Sequence, residues 1–139
     1  MFERSGTMKF IVDNEKINGE LQFSSISISP NESYGYRPYE LFISSIVGCS
    51  GSLLRNILKK QRYTFELIEM EVTTERNPNH ANRIEKLSIF SQVRCDQLIE
   101  TKQAEKLANL VIKNCGMIQS INQSIEISFI IQSVEWNGI

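Results

Sequence analysis

The sequence is poor in the residues on which several kinds of functional site depend. It has one histidine, His80, and three widely spaced cysteines, Cys49, Cys95 and Cys115. A single histidine in a loop rich in proline and asparagine argues against a Cys/His nucleophile pair. An odd set of distant cysteines argues against a disulfide scaffold and against a zinc site. We therefore expect no metal and no bound cofactor, and cysteine chemistry that is catalytic or absent.

An excess of charge of either sign is also missing. The chain carries 15 basic and 16 acidic residues, for a net charge of −1, and the two signs are mixed along its length. Binding to nucleic acid or to an anionic membrane is therefore not expected. The first eight residues lack the basic start and apolar run of a secretory signal. We expect a reducing, cytoplasmic location, with a small molecule or another protein as the partner.

Long hydrophobic runs are absent except for one segment. Fourteen residues from Leu41 to Leu54 carry no charge, with Cys49 near the centre. A bilayer span needs about 20 such residues, so this segment predicts a buried helix rather than a membrane span. A helix that is apolar on all sides must be covered on all sides, and a chain of 139 residues offers little to cover it.

Small residues on this helix indicate what covers it. Ser44, Gly48 and Ser52 stand four apart, with Gly51 beside them. Small residues at that spacing let another helix backbone approach closely. The pattern predicts a homodimer. The alternative is a monomer in which these residues pack against the chain's own second helix.

Apolar periodicity divides the rest of the chain into strands and helices. Strands are expected over 8–13, over 17–29 with a break near Ser24, and over 64–74, 84–93 and 125–134; helices are expected over 38–61 and 98–114. Pro38 suits the first turn of the long helix, and Leu107, Ala108, Leu110 and Val111 mark the apolar face of the second. This order predicts one α+β domain over residues 1–139 rather than a βαβ series.

The cysteines have more than one interpretation. Helical spacing places Cys49 on one face with Phe42, Ile46 and Leu53, and a cysteine on such a face is most often a small core residue. Because Cys49 lies in mid-helix, a lowered thiol pKa would need an outside cation. Cys95 ends a strand and is predicted to be structural.

The segment RPYELFISSIVGC, residues 37–49, resembles the start of the central helix in the OsmC/Ohr family of osmotically inducible and organic hydroperoxide resistance proteins. The segments 73–76 (TTER), 113–116 (KNCG) and 124–129 (SIEISF) follow in the family's order. The resemblance covers nearly the whole chain and is closest to the OsmC-like branch. It implies an intertwined α+β homodimer in which mainly antiparallel sheet wraps long central helices.

The resemblance also implies a thiol peroxidase. Cys49 matches the peroxidatic cysteine and Cys115 the resolving one, so an organic hydroperoxide would be reduced through a Cys49 sulfenic acid and a Cys49–Cys115 disulfide. An external dithiol, such as a lipoylated protein, would then reduce the disulfide. Apolar lining by Phe42, Ile46 and Leu53 would suit an organic hydroperoxide.

The residues that activate the peroxidatic cysteine in this family have no direct match in this sequence. In its peroxidase branches an arginine holds the thiolate, and a glutamate directly after the helix proline positions that arginine. Here Tyr39 occupies the glutamate position and the acid follows at Glu40. Arg4 and Arg37 are the arginines before the helix. This departure motivates a second hypothesis, a non-catalytic OsmC-like protein that binds a small apolar ligand at the dimer interface.

Overall fold

A computed structural model describes residues 6–135 of the chain. In that range the elements are β1 (Lys9–Val12), β2 (Ile17–Glu20), β3 (Ser25–Ile28), α1 (Pro38–Lys60), β4 (Phe65–Asn77), β5 (Arg83–Cys95), α2 (Thr101–Asn114), α3 (Gly116–Ile121) and β6 (Glu126–Glu135). The predicted α+β class is confirmed, and each predicted strand and helix is present. The short helix α3 was not predicted. The chain divides into two compact units after Ser44, so the single domain stays a prediction.

The first unit holds a small antiparallel sheet with the order β1-β2-β3. The turn between β1 and β2 is closed by Asp13, whose Oδ1 accepts the N–H groups of Glu15 and Lys16 at 2.9 and 2.8 Å. These two hydrogen bonds hold the pKa of the exposed Asp13 carboxyl below its usual value. The interruption between β2 and β3 confirms the predicted break near Ser24.

The second unit holds a sheet with the order β4-β5-β6. β4 and β5 form a long antiparallel hairpin, and Ala81 and Asn82 adopt left-handed φ values of 56° and 58° at its turn. β5 and β6 pair in parallel, with α2 and α3 in the connection between them. Parallel neighbours need such a crossover. The chain has no βαβ series in its described part, but it does contain this one βαβ unit.

Residues from both the helices and the sheet form the core of the second unit. Its fully buried apolar side chains include Leu54, Leu58, Leu87, Ile89, Val93, Leu107, Val111, Cys115 and Ile118. On α2 the buried set also includes Ala104 and Ala108, whereas Leu110 is 39% exposed. The prediction that Leu110 belongs to the core face is therefore wrong. Each helical residue turns the side chain by about 100°, which carries Leu110 past the edge of that face.

Among the described residues, the buried positions of the long helix α1 lie along one side. Ile46, Ser50, Leu54 and Leu58, each four residues apart, are its buried residues. A Cβ atom added at Gly51 would lie 3.1 Å from Sδ of Met70 on β4. Gly51 therefore faces the sheet, and its assignment to a helix-packing face is wrong.

The remaining small residues of α1 lie on an uncovered side of the helix. Ser44, Gly48 and Ser52 are exposed, and a Cβ atom added at Gly48 would meet no atom of the described chain within 4 Å. The monomer alternative, in which these residues pack on α2, is therefore wrong for Gly48. The homodimer itself stays a prediction.

By length and composition, α1 could cross a membrane, with a mean hydropathy of 1.5 over an 18-residue window of which 22% is buried. Core helices of soluble proteins meet the same two criteria. Within α1 the buried residues form one continuous stripe that contributes Leu54 and Leu58 to the core. This asymmetry is typical of a helix packed on a protein interior along one side.

Candidate active site

The two cysteines that the sequence singles out lie side by side. Sγ of Cys115 is 3.1 Å from Sγ of Cys49 and donates a hydrogen bond to it, although 66 residues separate the two in sequence. Both are free thiols. Cys49 is half-buried, whereas Cys115 is fully buried. A disulfide has a sulfur–sulfur distance of about 2.05 Å, so a small side-chain movement would allow these sulfurs to bond.

The position of Cys115 follows from a corner between two helices. Its backbone N–H closes α2 by donating to the carbonyl of Val111 at 2.9 Å, and its own carbonyl accepts the N–H of Gln119 in α3. Its φ and ψ of −83° and 112° are extended, which ends one helix and begins the next. The corner leaves the first N–H groups of α3 without acceptors in their own helix.

Two of the residues at this corner affect the pKa of Cys49 through their backbone. The N–H of Met117, the thiol of Cys115 and the N–H of Gly116 donate to the Cys49 sulfur and lower the pKa of Cys49, and burial opposes them. Hydrogen bonds to a charged form favour that form. Among the described residues no cation contributes to this shift, and activation of Cys49 by an outside cation stays a prediction.

The other two thiols are shifted in the opposite direction. Burial raises the pKa of Cys115, and the neighbouring Cys49 adds to the rise. Burial also raises the pKa of Cys95, which donates to the carbonyl of Gln97 at 2.9 Å and is 3% exposed. The pKa of Cys49 thus lies below the ordinary thiol value and the pKa of Cys115 lies above it. Cys95 has the surroundings of a packing residue, as predicted for it.

The predicted activating residues lie in the first unit or outside the described range. Nε of Arg37 donates to Oε1 of Glu40, and the side chains are 48% and 47% exposed. This ion pair keeps Arg37 charged and raises its pKa. Arg4 lies outside the described residues. The roles of Arg4, Arg37 and Glu40 towards Cys49 stay predictions.

The predicted lining residues differ in how much surface they present. Ile46 is 2% exposed and belongs to the core, whereas Phe42 and Leu53 are half-buried. In the single chain Ile46 therefore packs in the core and presents almost no surface to a substrate. Substrate contact by Phe42, Ile46 and Leu53 stays a prediction.

Sequence reasoning missed the two residues whose backbone faces Cys49. Gly116 and Met117 carry no side-chain signal for this role, because their effect on the pKa of Cys49 comes from the backbone. A glycine directly after a cysteine at the end of a helix pattern marks a change of backbone direction. That signal could have suggested a turn there, but not its contact with α1. Within residues 6–135 no three His, Cys, Asp or Glu side chains are grouped as metal ligands would be.

Comparison with known proteins identifies the family to which this chain belongs. The family model described as OsmC-like protein matches residues 29–129, which is most of the chain. This protein belongs to the OsmC-like protein family. Members of the family are typically soluble, which agrees with the one-sided burial of α1. A search of curated proteins gives no significant match.

Solved structures share the fold over nearly their whole length. A hypothetical protein from Aquifex aeolicus is 19% identical with a TM-score of 0.84, covering 97% of this chain and 100% of that one. The organic hydroperoxide resistance protein OsmC from Legionella pneumophila is 12% identical (TM-score 0.68; 95% and 99% covered). OhrB of Bacillus subtilis, an organic hydroperoxide resistance protein, is 15% identical (TM-score 0.62; 93% and 98% covered). At these identities the likeness establishes the fold.

Proposed function

We propose that this protein is a thiol-dependent peroxidase that reduces organic hydroperoxides, with Cys49 as the peroxidatic and Cys115 as the resolving cysteine. The observation that carries the proposal is the 3.1 Å contact between these two sulfurs. Membership of a family whose solved relatives include organic hydroperoxide resistance proteins supports the substrate class.

The first step uses the difference between the two thiols. The Cys49 thiolate attacks the terminal oxygen of the hydroperoxide, an S–O bond forms, the O–O bond breaks, and the alkoxide leaves and takes a proton to become an alcohol. Cys49 is then a sulfenic acid. The thiolate is the reactive form of a cysteine, and a lowered pKa gives Cys49 more of it at neutral pH.

The second step uses the position of Cys115. Its sulfur attacks the sulfenic sulfur of Cys49, a disulfide forms, and the sulfenic oxygen leaves as water with the thiol proton. Cys115 already lies in contact with Cys49, so this step needs no large rearrangement. Two electrons from an external dithiol then restore both thiols by exchange, with a lipoylated protein as the reductant we favour.

The proposal includes a cytoplasmic homodimer. Its motivation is the uncovered side of α1, where Ser44, Gly48 and Ser52 are exposed. A reducing compartment suits a cycle that begins from two free thiols. Apolar side chains on α1, Phe42, Ile46 and Leu53, would favour an organic substrate over hydrogen peroxide.

Consumption of cumene hydroperoxide by the reduced protein, with a dithiol present, tests the function. The wild type is expected to consume it much faster than Cys49→Ser, and Cys95→Ser serves as the matched control that keeps the activity. After one equivalent of peroxide, mass spectrometry without reductant should find a Cys49–Cys115 disulfide. In Cys115→Ser a sulfenic acid should accumulate at Cys49 instead.

Equal rates for the wild type and Cys49→Ser, with Cys49 unmodified by peroxide, would refute the peroxidase. The binding hypothesis makes a different prediction. It requires a small apolar molecule to co-purify with the protein and to raise its melting temperature. Native mass spectrometry distinguishes the two hypotheses on the same sample.

A further inference from the structure

We infer that the reductant attacks the disulfide at the sulfur of Cys49, so that Cys115 leaves first and Cys49 carries the reductant. The inference identifies the sulfur through which the external dithiol enters the cycle, and it rests on the Cys49–Cys115 disulfide of the proposed function. A disulfide offers two sulfurs to an attacking thiolate, and the choice between them depends on access and on the leaving thiol. The two cysteines differ in both respects.

Access differs between the two sulfurs in the folded chain. Cys115 is 0% exposed, whereas Cys49 is half-buried. Val111 in α2 and Ile118 in α3, on either side of Cys115 in sequence, are also 0% exposed. A thiolate must approach the attacked sulfur from the side opposite the bond that breaks. For Cys115 such a path crosses the packed core, whereas Cys49 already presents surface.

The corner between α2 and α3 holds Cys115 in its buried position. Its N–H donates to the carbonyl of Val111 at 2.9 Å, and its carbonyl accepts the N–H of Gln119 at 2.9 Å. An outward movement of Cys115 would disturb both hydrogen bonds and empty a buried position between two helices. Cys49 lies within α1 and needs no such movement to be reached. The oxidised pair therefore offers the sulfur of Cys49 to a reductant.

The leaving thiols favour the opposite order. A thiol of lower pKa leaves a disulfide more readily, and the pKa of Cys49 is lowered while that of Cys115 is raised. On this ground alone, attack at Cys115 with departure of Cys49 would be faster. The pKa difference only scales a rate, however, whereas a sulfur without exposed surface is not reached while the chain stays folded. Access therefore decides the order, and the preference should disappear when the chain unfolds.

The steps balance with one molecule of dithiol. A thiolate of the dithiol attacks Sγ of Cys49, the Cys49–Cys115 bond breaks, and Cys115 leaves as a thiolate that takes a proton. The second thiol of the reductant gives up its proton and attacks the reductant sulfur bound to Cys49. A disulfide closes within the reductant, and Cys49 leaves as a thiolate. The reductant has lost two electrons, and both cysteines are reduced again.

Glutathione, which has a single thiol, marks the attacked sulfur and serves as the probe. Cys95→Ser removes the third cysteine, and diamide forms the disulfide without peroxide, so the outcome is independent of whether the protein is a peroxidase. Samples from the earliest times are capped with N-ethylmaleimide and analysed by peptide mass spectrometry. Glutathione on Cys49 with maleimide on Cys115 should exceed the opposite pattern by about tenfold or more. In concentrated urea, the matched control, both cysteines should carry glutathione in comparable amounts.

Several results would overturn the inference. These are glutathione on Cys115 as often as on Cys49 in the folded protein, an unchanged preference for Cys49 in urea, and failure of diamide to link the two cysteines. If Cys115 expels glutathione before the adduct accumulates, variants with one thiol decide. With glutathione disulfide at about pH 9, above the ordinary thiol pKa, Cys49 in Cys115→Ser should be modified about tenfold faster or more than Cys115 in Cys49→Ser. Equal rates there would also contradict the inference.

Discussion

Ser91 offers a stability test in which a core substitution is expected to stabilise the protein. It lies in the middle of β5, its side chain is fully buried, and its hydroxyl oxygen has no hydrogen-bond partner among the described residues. A buried polar group without a partner costs about 1–3 kcal/mol. Ser91→Ala removes that group while leaving the backbone pairing of β5 intact, so the free energy of unfolding should rise.

The magnitude follows from two opposing terms. Removal of the unpaired hydroxyl is favourable, and the small gap left by one oxygen atom reduces the gain, for a net stabilisation of about 1 kcal/mol. Unfolding entropies of about 2.1 cal/mol/K per residue give about 0.3 kcal/mol/K for 139 residues. The melting temperature should therefore rise by about 3–4 °C.

Ser50→Ala is the matched control for this experiment. Ser50 is also fully buried, but its hydroxyl donates to the carbonyl of Ile46 at 2.8 Å. Loss of that bond, offset in part by the better helix propensity of alanine, should cost about 0.5 kcal/mol. Urea unfolding and calorimetry at equal protein concentration measure both variants. A loss of stability in Ser91→Ala as large as that in Ser50→Ala would refute the reasoning, because it would mean that Ser91 has a partner.

Two further predictions concern the dimer and the thiols. Gly48→Leu should leave the chain folded, because a Cβ atom there meets no described atom within 4 Å, but its large side chain should block a close partner helix and weaken dimerisation by about tenfold or more. Sedimentation measures this; Gly48→Ala should remain dimeric, and an unchanged dissociation constant for Gly48→Leu would contradict the packing. Below the ordinary thiol pKa of about 8.5, Cys49 should alkylate at a larger fraction of its own high-pH rate than Cys115, because the pKa of Cys49 is lowered and that of Cys115 raised. Equal normalised rates at neutral pH would contradict this assignment.

The sequence was most informative where structure is local. Alternation of apolar residues predicts β4 and β5, because a half-buried strand shows its two faces directly in its pattern. The parallel pairing of β5 with β6 could not be predicted this way, since it depends on contacts between segments far apart in sequence. The helix α3 has six residues, GMIQSI, which is too short for a helical period to be visible.

In the candidate site, too, the local features could be predicted from the sequence and the contacts between distant segments could not. The charge-free run around Cys49 predicts a helix, and the family resemblance predicts Cys115 as the partner thiol. Nothing in the spacing of 66 residues gives a sulfur–sulfur distance of 3.1 Å. The backbone donors at Gly116 and Met117 were missed because every residue except proline carries an N–H, so the donating group leaves no trace in residue type.

The corner at Cys115 has a consequence for the protein during its synthesis. Cys49 leaves the ribosome 66 residues before Cys115, an interval of roughly 3–13 s at about 5–20 residues per second. Until α2 has formed and its end has reached α1, Cys49 lacks the Cys115 thiol that lies 3.1 Å from it in the folded chain. A nascent chain that is oxidised at Cys49 in this interval would therefore hold a sulfenic acid with no thiol beside it, and the proposed disulfide would form only after Cys115 has reached its folded position.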